Sequence, residues 1–282
     1  MRNSIRKAAS RFVSPLRLNA REFLDYHALQ RLERQVADFS VLGHLSKSEI
    51  AGFLEDPTIA KDWLDDRKNL DAVNPPDFAS GVNPGDQLAL YSFVRALKPK
   101  RILEVGTHIG SSTLAMALAC RRNVSDEVLP KIVTVDIRDV NDEETKPWIY
   151  FGSDASPRKK LRQLDLERLV DFRVGDSLQV LAHETNQFDF VFLDGSHRAP
   201  TLYREIPAAI RALVNGAILV MHDVFPYCRP LWPKSRPTPG PWQAASRLLS
   251  ENDGLQLYPL GELPWPTKLG SNRTSLAVLS KV

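Results

Sequence analysis

No apolar run in this 282-residue chain approaches the roughly 20 residues needed to span a bilayer. Cysteine is scarce. Cys120 falls in a stretch of helical character and Cys228 in a loop, with no metal-ligand spacing, which favours a reduced intracellular protein, expected to be cytoplasmic. Charge of one sign is not in excess: the formal net charge is +3. The core also carries no basic stripe interleaved with aromatics, so nucleic acid is not an expected partner. Internal repeats, low-complexity tracts and the G-x-G-x-x-G dinucleotide fingerprint are all absent. What remains is an ordinary globular balance, 43% hydrophobic and 25% charged, enough for one large domain and an appendage.

One local bias stands out. Residues 1–21 carry Arg2, Arg6, Lys7, Arg11, Arg17 and Arg21, and no acid precedes Glu22. Three readings stay open: a solvated tail, a basic arm touching anionic membrane or a partner, and an organelle transit peptide; there is no secretory apolar region. Apolar residues at helical spacing over 22–70 (Phe23, Leu24, Leu29, Leu32, Val36) predict two or three short helices. Asn74-Pro75-Pro76 and Asn83-Pro84-Gly85 punctuate the chain, and Leu88–Leu97 reads as a helix stopped by Pro99. The expected organisation is a basic, helical segment over 1–79 and a main domain over 80–282.

From residue 100 a rhythm begins. Strand-like runs at 101–105, 131–137, 188–193 and 217–221, with a weaker one at Val170–Val174, alternate with helical stretches at 111–121, 157–168, 176–184 and 200–213. Such alternation predicts an α/β, Rossmann-like, doubly wound and mostly parallel sheet with helices on both faces. Ligands in such sheets bind beyond the carboxyl ends of the strands. Past Asp223 comes a proline-rich loop, 225–242, and then a helix over 242–250 and two closing strands, Leu255–Leu260 and Ser275–Leu279.

The strand ends carry the chemistry. Glu104-Val105-Gly106-Thr107-His108-Ile109-Gly110 closes the first strand with an acid and turns through two glycines into Ser111-Ser112. Gly106 admits a turn that a Cβ would oppose, and Gly110 admits close approach of a ligand. An acid there favours an amine or zwitterion over a pyrophosphate. Asp136 ends the second strand, where it can accept from both hydroxyls of a ribose. Gly175-Asp176-Ser177 follows the third, where a side chain and an adjacent amide can read an adenine edge. Asp194-Gly195 follows the fourth. Singly each acid reads as a cap or turn residue; in order on one ladder they describe a ligand with an amine, a ribose and a base. Ser111 and Ser112 either bond that ligand or cap the helix.

These residues, with Phe192-Leu193-Asp194-Gly195-Ser196-His197 and Gly216-Ala217-Ile218-Leu219-Val220-Met221-His222-Asp223, resemble the class I S-adenosylmethionine-dependent methyltransferases, in the branch of small-molecule and sugar O-methyltransferases. The resemblance covers about residues 80–225. It implies a seven-stranded sheet with an antiparallel last strand, suited to Ser275–Leu279. It also implies Glu104 and Gly106, with Thr107 and Gly110, near the methionine part, Asp136 on the ribose, and Asp176 and Ser177 about the adenine.

Asp194, His197, His222 and Asp223 sit at the ends of two strands expected to be adjacent. Asp194 and Asp223 are suited to Mg²⁺, with His197 as a proton acceptor near neutral pH. Metal-dependent relatives carry a comparable Asp-x-x-His and a later acidic pair. This chain has His222-Asp223-Val224 there, so His222 is either a ligand, favouring Mn²⁺ or Fe²⁺, or a base in a metal-free site. The acceptor is expected to be a small molecule or glycoside. Phe225, Tyr227, Trp232 and Trp242 are candidates for its wall, with loop packing or a homo-oligomer contact as the other reading. Arg138–Pro157 is a long connection, either a lid or a solvated loop. His108 reads as a turn residue, and His27, His44 and His183 lie outside any constellation. A nicotinamide-dependent oxidoreductase and a catalytically lapsed binding protein are the rival readings.

Overall fold

A computed structural model describes residues 19–74, 81–125, 129–233 and 235–282. The basic residues Arg2, Arg6, Lys7, Arg11 and Arg17, and the boundary expected at 79/80, lie outside the described residues. Seven strands form one sheet: β1 (Arg101–Val105), β2 (Lys131–Asp136), β3 (Val170–Val174), β4 (Phe188–Leu193), β5 (Leu213–Met221), β6 (Leu255–Pro259) and β7 (Ala277–Lys281). Their order is β3-β2-β1-β4-β5-β7-β6. The first five pair in parallel, and β7 runs antiparallel to both β5 and β6. This is the doubly wound Rossmann-like sheet with the antiparallel last strand that the alternation and the resemblance imply.

Strand parity separates two cores. Ile102, Ile132, Phe190, Phe192, Ile218 and Val220 face one layer; Leu103, Val105, Val133, Val135, Val191 and Leu219 face the other. The first layer is closed by α2 (Lys47–Glu55), α3 (Pro57–Val73), α4 (Pro84–Leu97) and α5 (Ser111–Arg122). The second is closed by α1 (Ala20–Arg31), α9 (Ala199–Arg211) and α10 (Pro239–Glu251). The N-terminal helices are therefore divided between the faces. Buried Asp66 on α3 holds them in place, accepting from Tyr91 at 2.7 Å and from Arg121 and Arg122 at 3.0 Å. Asp25 on α1 accepts from Arg198 at 2.7 Å, which ties the first helix to the loop after β4.

Several boundaries move for local reasons. The helix expected over 200–213 stops at Arg211, because Leu213 already pairs with Phe188 as the first residue of β5. The one expected over 157–168 is shorter, α7 (Pro157–Gln163), with Asp165 in the left-handed region. α8 (Ser177–Leu181) has Asp176 as its N-cap and ends earlier than the expected 184. The proline-rich loop is shorter than 225–242: α10 begins at Pro239, since prolines in a first turn lack only an N–H that has no helical partner. The connection over 138–157 contains a single turn, α6 (Pro147–Tyr150), and is anchored by buried Trp148 and by Asn141 Oδ1, which accepts from Arg158 N at 2.8 Å.

The turn after β1 is the tightest point of the sheet. Gly106 has φ +100°, and a Cβ there would lie 2.4 Å from the carbonyl oxygen of Asp194. Gly106→Ala is expected to lose at least about 1–3 kcal/mol from the left-handed backbone alone, read as a lower urea midpoint. A variant as stable as the wild type would mean that β1 and β4 do not meet as described.

Candidate active site

The main chain aligns the strand ends. Asp194 N donates to Val105 O at 2.8 Å, Gly106 N to Val135 O at 2.8 Å, and His222 N to Leu193 O at 3.0 Å. The ladder thus continues one residue past each strand, and the side chains that follow share one rim. Asp223 then turns the chain, with φ +53°.

On this rim His197, Asp194 and Asp223 converge. Each presents a ligand atom within 4.8 Å of the others. His197 Nε2 lies 3.1 Å from Asp223 Oδ2 and 3.8 Å from Asp194 Oδ1. The carboxylates of Asp194 and Asp223 push the His197 pKa up to about 10. Burial would raise the pKa of both carboxyls, but the His222 charge overrides it and leaves each below the ordinary range. Gly240, at the start of α10, sits against this loop so closely that a Cβ would be 1.9 Å from His197 O.

His222 is placed differently from either expectation. It is buried between carboxylates, with Nδ1 3.2 Å from Asp194 Oδ1 and 3.5 Å from Asp223 Oδ1, and Nε2 3.1 Å from Asp86 Oδ2. Both ring nitrogens face acceptors, and although burial opposes the charge, Asp194 and Asp223 raise the His222 pKa well above its ordinary value. With neither nitrogen free, His222 is not placed as a metal ligand or as a base in this arrangement. Asp86, from the first turn of α4, has no contact with solvent; it also accepts from Asn83 Nδ2 and Thr274 Oγ1, each at 2.6 Å. Sequence reasoning took Asn83-Pro84-Gly85 only as punctuation and missed Asp86. The acid three residues after the capping asparagine was the signal.

A cavity of about 660 Å³ opens beside this cluster. Gly106, Asp136, Asp176, Ser177 and Asp194 line it, together with His108, Arg138, His197, Glu205 and Lys268. Asp136 already accepts from His108 N at 2.9 Å and Arg138 N at 3.1 Å. Asp176 caps α8 through Leu178 N and Gln179 N, at 3.0 and 3.2 Å. The Ser177 hydroxyl donates to Glu205, an acid on the buried side of α9 that sequence reasoning also missed.

Glu104 does not reach this cavity. Its side chain shares the face of Ile102, under the start of α5, and it accepts from Ser112 and Thr113 at 2.5 Å and from Thr134 at 2.6 Å. Burial raises its pKa to about 7 in spite of those three bonds. Thr107 lies within 2.6 Å of the Thr134 hydroxyl. Gly110 is the N-cap of α5, and the buried Ser111 hydroxyl has no partner among the described residues. The expectation that Glu104 meets an amine of the ligand is therefore corrected: its oxygens are taken up within the fold. Phe225 pairs with Trp232 and Tyr227 with Trp242, at 6.0 and 5.0 Å between ring centroids. None of the four lines this cavity; Lys268, stacked over Trp232 at 3.9 Å, does. Phe151 of the 138–157 connection stacks on His108 at 4.1 Å, so that connection is packed against the turn after β1.

A family model described as a methyltransferase domain matches residues 103–224. The chain is 25% identical over 159 residues to O-methyltransferase hkm8 of Aspergillus hancockii, a match spanning 56% of this chain and 54% of that protein. The chain thus aligns with about half the length of this curated relative. Among solved structures, the O-methyltransferase from Bacillus cereus in complex with SAH has a TM-score of 0.51 at 18% identity, covering 81% of this chain and 91% of that one. Cofactor-bound Rv0187 from MTB has a TM-score of 0.50 at 21% identity, covering 84% and 98%. At these identities the likeness is one of fold.

The pH dependence of stability tests the charge on His197. A pKa raised from 6.5 to about 10 adds stability that is fully present below pH 6.5 and is lost as pH climbs through about 10. The urea midpoint of the wild type is expected to fall across that window, and to fall less in His197→Ala. Parallel curves would show that the protein does not hold this proton.

Proposed function

We propose that this protein is an S-adenosylmethionine-dependent O-methyltransferase acting on a hydroxyl of a small-molecule or glycosyl acceptor, with a divalent cation held by Asp194, His197 and Asp223. The observation that carries it is the position of this triad on the wall of the cavity that Gly106, Asp136 and Ser177 also line. No helix among the described residues is long and apolar enough to cross a membrane. Contact of the basic N-terminus with a membrane surface and self-association are not part of this reading.

The donor set fits a cation on its own chemistry. Two carboxylates and an imidazole around one point suit Mg²⁺ or Mn²⁺, and the same geometry already drives His197 to keep a proton. Bound there, the cation would lower the pKa of an acceptor hydroxyl. The chain's own groups do the rest. In this reading Asp136 takes the ribose hydroxyls, beside Gly106. Asp194 bridges the two halves, lining the cofactor cavity and facing His222. His222, braced by Asp86, orients the carboxylates of Asp194 and Asp223 as an outer support. In the reaction the acceptor hydroxyl gives its proton to water, its oxygen forms a bond to the methyl carbon, the carbon–sulfur bond breaks with its electron pair left on sulfur, and the cofactor leaves as a neutral thioether. In-line alignment of acceptor and cofactor is the main contribution of the protein.

Calorimetry with S-adenosylhomocysteine and with NADH separates this reading from an oxidoreductase; binding of NADH alone would sink it. Methyl transfer to a panel of hydroxylated acceptors is expected to stop with EDTA and return with Mg²⁺ or Mn²⁺, and to be lost in Asp223→Ala while S-adenosylhomocysteine still binds. Transfer that survives EDTA would remove the cation from the reading. His222→Gln is expected to weaken Mn²⁺ binding by about 10–100-fold, measured by electron paramagnetic resonance.

A further inference from the structure

The wall of the cavity holds a carboxyl with one oxygen that neither the fold nor the cation site uses. Glu205 stands on the buried side of α9 among Leu202, Ile206 and Ala209, where packing alone calls for an apolar residue. Its Oε1 accepts from Ser177, and its Oε2 is buried with no partner among the described residues. A buried acceptor left unmade is destabilising, and a ligand that donates to it would relieve that cost. Burial also raises the pKa of this carboxyl to about 7.

Strand order says which part of a ligand lies there. In the sheet order β3-β2-β1-β4, Asp136 ends β2, and Gly175, Asp176 and Ser177 follow β3 on the next position outward. A ligand whose ribose meets Asp136 and whose sulfur lies toward Asp194 places its base at Ser177 and Glu205. Asp176 caps α8 through Oδ1 alone, and the Ser177 hydroxyl bonds Glu205; what distinguishes Glu205 is that its unused oxygen is buried, where water does not satisfy it. We infer that Glu205 determines the base specificity of the cofactor site, its Oε2 accepting a hydrogen bond from the exocyclic amine of adenine. This rests on the reading of the cavity as an S-adenosylmethionine site.

The test compares S-adenosylhomocysteine with S-inosylhomocysteine, in which a carbonyl oxygen replaces the amine, by calorimetry on the full chain. The wild type is expected to prefer the adenosyl ligand about tenfold or more, the worth of one charge-assisted hydrogen bond. Glu205→Gln keeps an acceptor for Ser177 and presents an N–H at the Oε2 position, so the preference is expected to vanish or reverse. Ser177→Ala leaves Oε2 in place and is expected to retain the wild-type preference. Equal binding of both ligands by the wild type, or an unchanged ratio in Glu205→Gln, would overturn the inference while leaving the cofactor reading intact. Loss of the ratio in Ser177→Ala as well would assign the effect to the placement of α8 and also overturn it. Binding of neither ligand by the wild type would overturn the cofactor reading itself. A ratio is unmoved by a general loss of stability, and the wild-type comparison stands even if Glu205→Gln fails to fold.

Discussion

Everything at the functional end of this sheet depends on the contact between Gly106 and the backbone of Asp194. The two strands β1 and β4 run parallel at the centre of the sheet, and their chains continue side by side past the last strand residue. A side chain at position 106 would separate them. Because they stay together, the turn that borders the cofactor cavity and the loop that carries Asp194 and His197 have a fixed relation. The next strand inherits it: His222 N bonds back to Leu193 O, which brings Asp223 beside Asp194.

Around that contact the buried charges fall into two systems with opposite solutions. Glu104 is satisfied by three donating hydroxyls, which favour its charged form against the burial that raises its pKa. His222 instead gathers three acids around itself. Removing any one partner from such a cluster leaves a buried charge uncompensated, which is costlier than never having built it. Asp86, Asn83 and Thr274 come from two distant segments of the chain, so the cluster also fastens the start of α4 and the approach to β7 to the middle of the sheet.

Much of this was legible in the sequence. The alternation of apolar runs gave a parallel sheet, and the acids at the ends of β2, β3 and β4 mark residues that do line one cavity. Glu104 was misread because acids at strand ends look alike in a sequence. Parity separates them: Glu104 shares the face of Ile102, under α5, whereas the cavity opens past the end of the strand. Asp86 and Glu205 were missed for different reasons. The bond from Asp86 to His222 joins residues 136 apart, and no local pattern announces it. Glu205 did leave a trace, as an acid among the apolar positions of a strongly amphipathic helix, but a buried acid is informative only once its neighbours are known. The aromatic residues of the proline-rich segment were open to two readings, an acceptor wall or packing; they pair with each other and lie outside the lining of that cavity.

The proline-rich segment nevertheless has a hold on the chemistry. Gly240 lies directly against the backbone of His197, so the first turn of α10 acts as a doorstop for the loop that bears the imidazole. Loops that border an active site are usually free to vary from one relative to the next. Here that freedom is curtailed at one residue. Changes in the segment before α10 are tolerated only if they leave this glycine seated against the carbonyl of His197.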